Sequence, residues 1–320
     1  MTAVADHFVT AQDGLRLHVR EYGERTARAL PVVCLPGLAR TTADFDPLGT
    51  ALADNPARPR RVLALDYRGR GLSDYDRDPG RYSIPVELGD VAAVLTARAV
   101  ASAVFVGTSR GGLIAMALAA ARPTAIAGVV LNDIGPVIEP QGLMRIKSYV
   151  GRLPQPHSFA EGAEVLSRLF GDQFPRLGGA DWLAAARRTW HDRDGSLVLT
   201  YDPRLADGLA ALTPDQPLPT MWSQFDALAQ IPMMVIRGAN SDILSAATLT
   251  AMRARRRETT VLEIPDQGHA PLLAEPDTIA RIADFLAGCD EAECAGGRTS
   301  GASGSNDIEP GSVNASRVRG

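Results

Sequence analysis

The chain has little of several features that point to particular classes of protein. Only three of its 320 residues are cysteine: Cys34 lies in an apolar run, and Cys289 and Cys294 lie near a polar segment. This number and spacing exclude a disulfide framework and match no metal site. We therefore expect a reducing, cytoplasmic location and no bound metal.

Long apolar runs and a large excess of one charge are also lacking. No segment approaches the ~18 consecutive apolar residues that a membrane helix needs, and the N-terminus lacks the basic start and apolar stretch of a signal peptide. The formal net charge is −4 at pH 7, which predicts no basic surface for nucleic acid or an anionic membrane. We expect neither nucleic acid nor a membrane as a partner.

What the sequence does have is an alternation of strand-like and helix-like segments. Eight short apolar runs predict strands, and apolar residues at helical spacing, as between residues 84 and 95, predict helices between them. We expect an α/β fold with an eight-stranded, mostly parallel sheet, helices on both faces and an antiparallel first pair of strands. The predicted strands are 8–10, 15–19, 32–35, 62–65, 103–106, 129–131, 233–236 and 261–264.

The alternation breaks between residues 136 and 228, where apolar residues recur only at helical spacing. A segment of about 90 residues is too long for a plain loop. We predict a helical lid, 136–228, inserted after the sixth strand of a core formed by 1–135 and 229–288; the alternative is a continuation of the core. Residues 289–320 are rich in glycine and serine and are predicted to be a disordered tail, because they can bury little apolar surface.

The most informative motif is Gly-Thr-Ser-Arg-Gly at 107–111, between a predicted strand and an apolar helix. A Gly-x-Ser-x-Gly turn in this place is typical of a nucleophile elbow, whose serine is strained and projects into solvent. Such a turn brings backbone segments so close that the flanking side chains must be nearly absent. Gly107 and Gly111 meet that requirement, so we predict that Ser109 is a nucleophile.

A serine hydroxyl needs a base, and the base needs a carboxylate that orients it. His269 follows the last predicted strand and should share the carboxyl edge of the sheet with Ser109. Asp242 follows the seventh strand at the same edge and gives the chain order serine, acid, histidine. We predict Asp242 as the acid, with Asp133, after the sixth strand, as the alternative.

The negative charge that develops on a substrate oxygen needs hydrogen-bond donors. We predict the backbone N–H groups of Arg110, at the start of a helix, and of Leu38, in the loop after the third strand. The Arg110 side chain either binds an anionic substrate or pairs with a nearby acid. Four aromatic residues are candidates to line the substrate pocket, with burial in the core as the alternative: Trp182, Trp190, Trp222 and Phe225.

With these residues in place, the chain resembles the α/β-hydrolase family over about residues 5–288. The resemblance rests on four motifs: 107–112, Asp-Tyr-Arg-Gly-Arg-Gly-Leu-Ser at 66–73, Arg-Gly-Ala-Asn-Ser-Asp at 237–242, and Gly-His at 268–269. It implies an eight-stranded sheet, a lid after the sixth strand, no cofactor and the triad Ser109, Asp242 and His269. The chain departs from many relatives at Pro36, where they carry histidine, and at Arg110, where they carry an apolar residue or glutamine.

The serine at position 109 distinguishes the chain from the dehalogenases and epoxide hydrolases that resemble this fold, because those enzymes use an aspartate there. We expect a serine hydrolase of small carboxylic esters or lactones that forms an acyl-enzyme. The alternatives are a C–C bond hydrolase of diketo acids from aromatic ring cleavage and a cofactor-free perhydrolase. A more distant alternative is a non-catalytic, ligand-binding member of the fold. Each has a small molecule as its partner.

Overall fold

The computed structural model describes residues 3–213 and 218–300. Its strands are β1 Val4–Thr10, β2 Arg16–Tyr22, β3 Val32–Leu35, β4 Val62–Leu65, β5 Ala103–Thr108, β6 Ile126–Asn132, β7 Trp190–Arg193, β8 Ser196–Leu199, β9 Met233–Gly238 and β10 Thr260–Ile264. Its α-helices are α1 Asp46–Ala53, α2 Ile84–Ala97, α3 Arg110–Ala121, α4 Pro140–Tyr149, α5 Phe159–Phe170, α6 Gly179–Thr189, α7 Trp222–Asp226, α8 Ala246–Arg255 and α9 Pro276–Ser300. Short 3₁₀ helices occupy Thr42–Phe45, Pro79–Arg81, Pro123–Ala125 and Pro203–Leu209.

One eight-stranded sheet, in the order β1-β2-β4-β3-β5-β6-β9-β10, forms the centre of the molecule. Strand β2 is antiparallel to both of its neighbours, and the pairs from β4 to β10 are parallel. Strands β3, β4 and β9 are buried along their whole length and β6 at all but one residue, as expected where helices cover both faces of a parallel sheet. The predicted α/β fold and its eight-stranded, mostly parallel sheet are confirmed.

Two hydrophobic clusters, one on each face of the sheet, form the core. Alternate residues of β5 point to opposite faces, so Phe105 packs with Ile114 of α3 while Val104 packs with Ile282 of α9. All four side chains are fully buried. Helices α2, α3 and α8 cover the first face, and α1 and α9 cover the second. This packing fixes the sheet edge at which the candidate site residues lie.

The segment predicted to be an insertion, residues 136–228, contains α4, α5, α6 and α7 and also an antiparallel hairpin, β7–β8. The helical spacing predicts a helix through Trp190, but α6 ends at Thr189 and Trp190 begins β7. The hairpin turn contains Asp194 and Gly195, both at positive φ (54° and 81°). An Asp-Gly pair is a strong local signal for a hairpin, and it explains why the helix does not continue.

The last helix is longer than predicted, because α9 runs to Ser300 whereas the tail is predicted to begin at residue 289. Cys289 is buried, and Asp290 accepts hydrogen bonds from Arg60 at 2.6 and 3.0 Å. These contacts join residues 289 and 290 to the core, so α9 extends past the predicted start of the tail. The rest of the predicted tail, residues 301–320, lies outside the described residues.

Candidate active site

Ser109 lies at the sharp turn between β5 and α3, with φ 52° and ψ −114°. A positive φ in a residue other than glycine costs about 1–3 kcal/mol and persists only where the surroundings impose it. Here close packing imposes it: a Cβ on Gly111 would lie 2.0 Å from the carbonyl oxygen of Leu35, and one on Gly107 would lie 2.6 Å from Gly111. Only glycine at both positions lets the turn close, and Ser109 is thereby placed in the wall of a cavity.

His269, in the loop after β10, joins this serine to a carboxylate. Its Nε2 lies 2.8 Å from Ser109 Oγ, and its Nδ1 lies 2.8 Å from Asp133 Oδ2. The His269 side chain is 6% exposed and that of Asp133 is 0% exposed. Hydroxyl, imidazole and carboxylate therefore form one continuous hydrogen-bonded chain, in which the carboxylate is fully buried and the imidazole almost fully buried.

The surroundings of Asp133 compensate the buried carboxylate for its lost hydration. Oδ1 accepts a hydrogen bond from the N–H of Gly238 at 2.9 Å, and Oδ2 accepts one from the hydroxyl of Ser241 at 2.5 Å. The backbone N–H of Asp133 donates to the carbonyl of Ile236 at 2.8 Å. A buried carboxylate without such donors would be strongly unfavourable. The loop after β9 thus holds Asp133 in the orientation in which it meets His269.

The pairing expected for Asp242 is corrected by the structure. Asp242 makes a two-point ion pair with Arg145 of α4, at 2.6 and 2.8 Å, and no hydrogen bond between the described residues joins it to His269. Burial alone would raise the pKa of Asp242, but Arg145, with smaller contributions from Gln173 and His269, outweighs it and holds that pKa below its ordinary value. The physical reason lies one residue earlier, where the Ser241 hydroxyl binds Asp133. Asp133, the alternative acid, is the one beside the imidazole.

The two predicted oxyanion donors both belong to segments that flank Ser109. Arg110 is the first residue of α3, so its N–H is one of the four at a helix start that lack an acceptor within the helix. Leu38 lines the cavity in the loop after β3. A Cβ on the adjacent Gly37 would lie 3.8 Å from Ser109 Cβ, so this loop passes directly beside the serine.

The side chain of Arg110 does not face the cavity. Its Nε donates to Glu87 at 2.5 Å, and one of its terminal nitrogens donates to the carbonyl of Tyr82 at 3.0 Å. Glu87 is fully buried and also accepts from Arg70 at 2.7 Å. Of the two roles expected for Arg110, pairing with a nearby acid is therefore the one observed, and its assignment as a substrate-binding side chain is corrected.

All four candidate pocket aromatics belong to or pack against hydrophobic clusters. Phe225 is fully buried and makes an edge contact with Trp222, their ring centroids 5.6 Å apart, and Arg255 lies over the Trp222 ring. Both aromatics pack on the sheet face that α3 covers, because α7 returns there from the insertion. Trp190 is buried within the insertion. Trp182 alone of the four lines the cavity, so the prediction for Trp222 and Phe225 is wrong.

A cavity of about 210 Å³ opens at Ser109 and His269, beneath the insertion. Much of its wall is apolar, formed by Ile146, Val150, Leu153, Leu166, Phe170, Phe174, Leu177 and Trp182. Polar side chains for which the sequence predicts no role also line it, among them Arg40, Asp44, Tyr149, Asp181 and Arg188. A usable signal exists for Arg188, because Trp182, Ala185 and Arg188 recur every third residue and so share one face of α6.

Two features have no counterpart in residues 3–213 and 218–300. No group of three or more histidine, cysteine, aspartate or glutamate side chains is arranged to bind a metal ion. No helix in these ranges has the length and apolar character required to span a bilayer.

The profile of the alpha/beta hydrolase family matches residues 32–282. A 3-hydroxybutyrate-oligomer hydrolase of Cupriavidus necator is 33% identical over 280 residues, which cover 85% of this chain and 93% of the relative. A 2-(acetamidomethylene)succinate hydrolase of Mesorhizobium japonicum is 24% identical over 287 residues, 88% of this chain and 96% of the relative. The crystal structure of an alpha/beta hydrolase from Novosphingobium aromaticivorans, 41% identical, superposes with a TM-score of 0.82 and covers 90% of this chain and 99% of its own. The resemblance inferred from the motifs is confirmed, and the chain is a hydrolase of the alpha/beta hydrolase family.

Proposed function

We propose that this hydrolase cleaves small carboxylic esters or lactones through an acyl-enzyme, with Ser109, His269 and Asp133 as its triad. The observation that carries the proposal is the hydrogen-bonded chain between these side chains, with 2.8 Å at each of its two links. In such a chain the imidazole can accept the serine proton while the carboxylate holds the other ring nitrogen. Asp133 therefore takes the role that the sequence analysis predicts for Asp242.

In the first half of the reaction, Ser109 Oγ attacks the carbonyl carbon and His269 Nε2 accepts the hydroxyl proton. The backbone N–H groups of Leu38 and Arg110 donate to the developing oxyanion; loss of one such donor typically costs about 100- to 1,000-fold in rate. His269 then gives its proton to the leaving alcohol oxygen as the C–O bond breaks. Water attacks the acyl-enzyme with His269 again as base, which releases the acid and restores Ser109.

Two observations favour an ester as the substrate. The 33% identical relative is named for oligomers of 3-hydroxybutyrate, and a hydroxy acid forms such oligomers through ester bonds. The apolar wall of the cavity suits short alkyl chains. For the alternative, C–C hydrolysis of a diketo acid, Arg110 would bind the substrate carboxylate. Its guanidinium is instead paired with Glu87.

The test is turnover of p-nitrophenyl butyrate by the wild type and by Ser109→Ala. We expect the variant to fold normally by circular dichroism and to lose at least about 1,000-fold in kcat, because triad members act as a unit. Ser148→Ala, a change at an exposed serine of α4, is the matched control and should keep full activity. A fluorophosphonate should add to Ser109 alone in the wild type. Wild-type turnover by Ser109→Ala would overturn the proposal.

A panel of simple esters, lactones and vinylogous diketo acids separates the ester proposal from the C–C alternative. We expect the highest kcat/KM with an ester or a lactone. Preferential cleavage of the diketo acids, lost in Ser109→Ala, would replace ester hydrolysis by C–C hydrolysis on the same triad.

A further inference from the structure

Two arginines line the same cavity as Ser109. Arg40 lies in the loop after β3, three residues beyond Gly37, and Arg188 lies on the cavity face of α6. Both approach a single oxygen, Asp44 Oδ1: the distance is 2.7 Å from a terminal nitrogen of Arg40 and 3.2 Å from Nε of Arg188. One segment belongs to the core and the other to the insertion, so the cluster joins both sides of the cavity.

The positive charge of this cluster exceeds its negative charge. Two guanidinium groups share the one carboxylate of Asp44, and the other carboxylate in the cavity wall, Asp181, is exposed and accepts from the N–H of Gly178 at 2.8 Å. Burial, together with the charge of Arg40, lowers the pKa of Arg188. Within the described ranges, the remaining N–H groups of the two arginines have no hydrogen-bond acceptor.

A purely structural ion pair explains this arrangement incompletely. An ion pair that only joins α6 to the core requires Arg188 and Asp44. It does not explain why Arg40 also lies beside this carboxylate. The side chains of Arg40 and Arg188 are 38% and 25% exposed, so an incoming group can reach both. A planar carboxylate is the ligand that best matches the fork of N–H donors on a guanidinium.

We propose that Arg40 and Arg188 bind a free carboxylate of the substrate, so that the enzyme prefers esters of small molecules that also carry an acid group. The inference rests on the proposed ester hydrolysis, and it narrows the substrate class to acidic esters, such as esters of hydroxy acids or half-esters of dicarboxylic acids. The apolar wall packs against the carbon chain, while the two arginines fix the orientation of its charged end.

The experiment compares esters that differ only in whether their acid group is ionised or capped as an amide. One pair is 3-acetoxybutyrate and 3-acetoxybutyramide, and the other is mono-4-nitrophenyl glutarate and its carboxamide. We expect the acid of at least one pair to have a kcat/KM about tenfold or more above that of its amide, as a charge-assisted hydrogen bond provides. This ratio is independent of the folded fraction of the enzyme.

Arg188→Gln and Arg40→Gln should each reduce the acid-to-amide ratio about tenfold, and Arg188→Lys, which keeps the charge, should retain part of it. The matched control is Arg187→Gln, because Arg187 is exposed on α6 and stacks over Phe159 outside the cavity; its ratio should equal that of the wild type. A ratio near one for both pairs in the wild type would overturn the inference. So would an equal loss of the ratio in Arg187→Gln.

Binding to Ser109→Ala, measured by calorimetry, separates this inference from the proposed function. Tighter binding of the acid than of the amide, abolished when Arg188→Gln is added, supports the subsite even if the wild type hydrolyses no ester. Ester turnover without any preference for the acid in turnover or binding would leave the proposed function intact and refute the subsite.

Discussion

In the part of the chain that the structure describes, two histidines in different regions pair with an aspartate through Nδ1, at nearly the same distance. His18 of β2 lies 2.7 Å from Asp66 through Nδ1, and His269 lies 2.8 Å from Asp133 through Nδ1. The pairs differ in the partner of Nε2. For His18 that partner is a second carboxylate, Asp6, at 3.0 Å, whereas for His269 it is the hydroxyl at the strained turn.

This difference separates a structural pair from a candidate catalytic one. Burial alone would lower the pKa of His18, but Asp66 and Asp6 outweigh it and raise that pKa above its ordinary value. An imidazole between two carboxylates is stabilised in its charged form, which cannot accept a proton, and here it ties β1 and β2 to the segment after β4. A histidine–aspartate pair therefore indicates catalysis only when its second nitrogen faces a nucleophile in a cavity.

The largest effect expected from this comparison is the loss of turnover in Asp133→Asn. An amide beside Nδ1 favours the wrong tautomer of His269, so kcat on an ester should fall by about 10⁴-fold. Asp242→Asn is the matched control at the other carboxylate of this sheet edge, and its loss should stay below about tenfold. The measurement is steady-state kcat for both variants. A larger loss in Asp242→Asn than in Asp133→Asn would make Asp242 the acid of the triad.

Asp66→Asn should have the opposite profile, with lost stability and retained turnover. Asp66 accepts hydrogen bonds from His18 and from the backbone N–H groups of Thr42 and Leu72, at 2.7, 2.7 and 3.1 Å. Removing one partner of such a buried pair costs about 3 kcal/mol of unfolding free energy, measurable by urea denaturation. Asp74→Asn, at a half-exposed carboxylate, should cost much less. Loss of turnover per folded molecule in Asp66→Asn would contradict the assignment of His18 and Asp66 as a purely structural pair.

Ser241→Ala should have a smaller effect, on activity and stability together. The Ser241 hydroxyl donates to Asp133 at 2.5 Å and accepts from the N–H groups of Ile243 and Leu244 at 3.2 and 3.1 Å. We expect about 1 kcal/mol lower stability and about tenfold lower kcat/KM. Ser241→Thr, which keeps a hydroxyl, should recover much of both. An unchanged kcat/KM in Ser241→Ala would show that this support of Asp133 is dispensable.

The smallest effect is a pH dependence of stability that belongs to His18. Because its pKa is raised in the folded state, its contribution is complete below the unfolded value of about 6.5 and is lost as pH rises through the folded pKa. The difference in unfolding free energy between wild type and His18→Gln should therefore shrink from pH 6 to pH 9. Urea titrations across this range provide the measurement, and a difference that grows with pH would contradict the sign.

Local patterns in the sequence were sufficient to predict the sheet, and also Ser109 and His269, which meet at its edge. The flanking glycines and the position between a strand and a helix predict Ser109. The position after the last strand predicts His269. Both signals depend on residues within a few positions of the site. The Asp194-Gly195 pair is an equally local signal for a hairpin. It was not used, because the helical spacing around Trp182 favoured a continuous helix.

The choice between the two acids could not be predicted from chain order, because both follow strands at the same edge. It depends on contacts between segments that are distant in sequence. Ser241 donates a hydrogen bond to Asp133, and Arg145 of α4 forms an ion pair with Asp242. The same holds for Arg110, whose acid is Glu87 on α2. Partners of this kind are set by tertiary packing, which periodicity and spacing do not encode.

The most direct test of the account is a double-mutant cycle between Asp133→Asn and His269→Ala, read out as kcat on p-nitrophenyl butyrate. If Asp133 acts through the imidazole, its substitution should cost about 10⁴-fold in the wild type and almost nothing once His269 is alanine. The same large cost in both backgrounds would contradict the account, because the carboxylate would then act independently of the histidine.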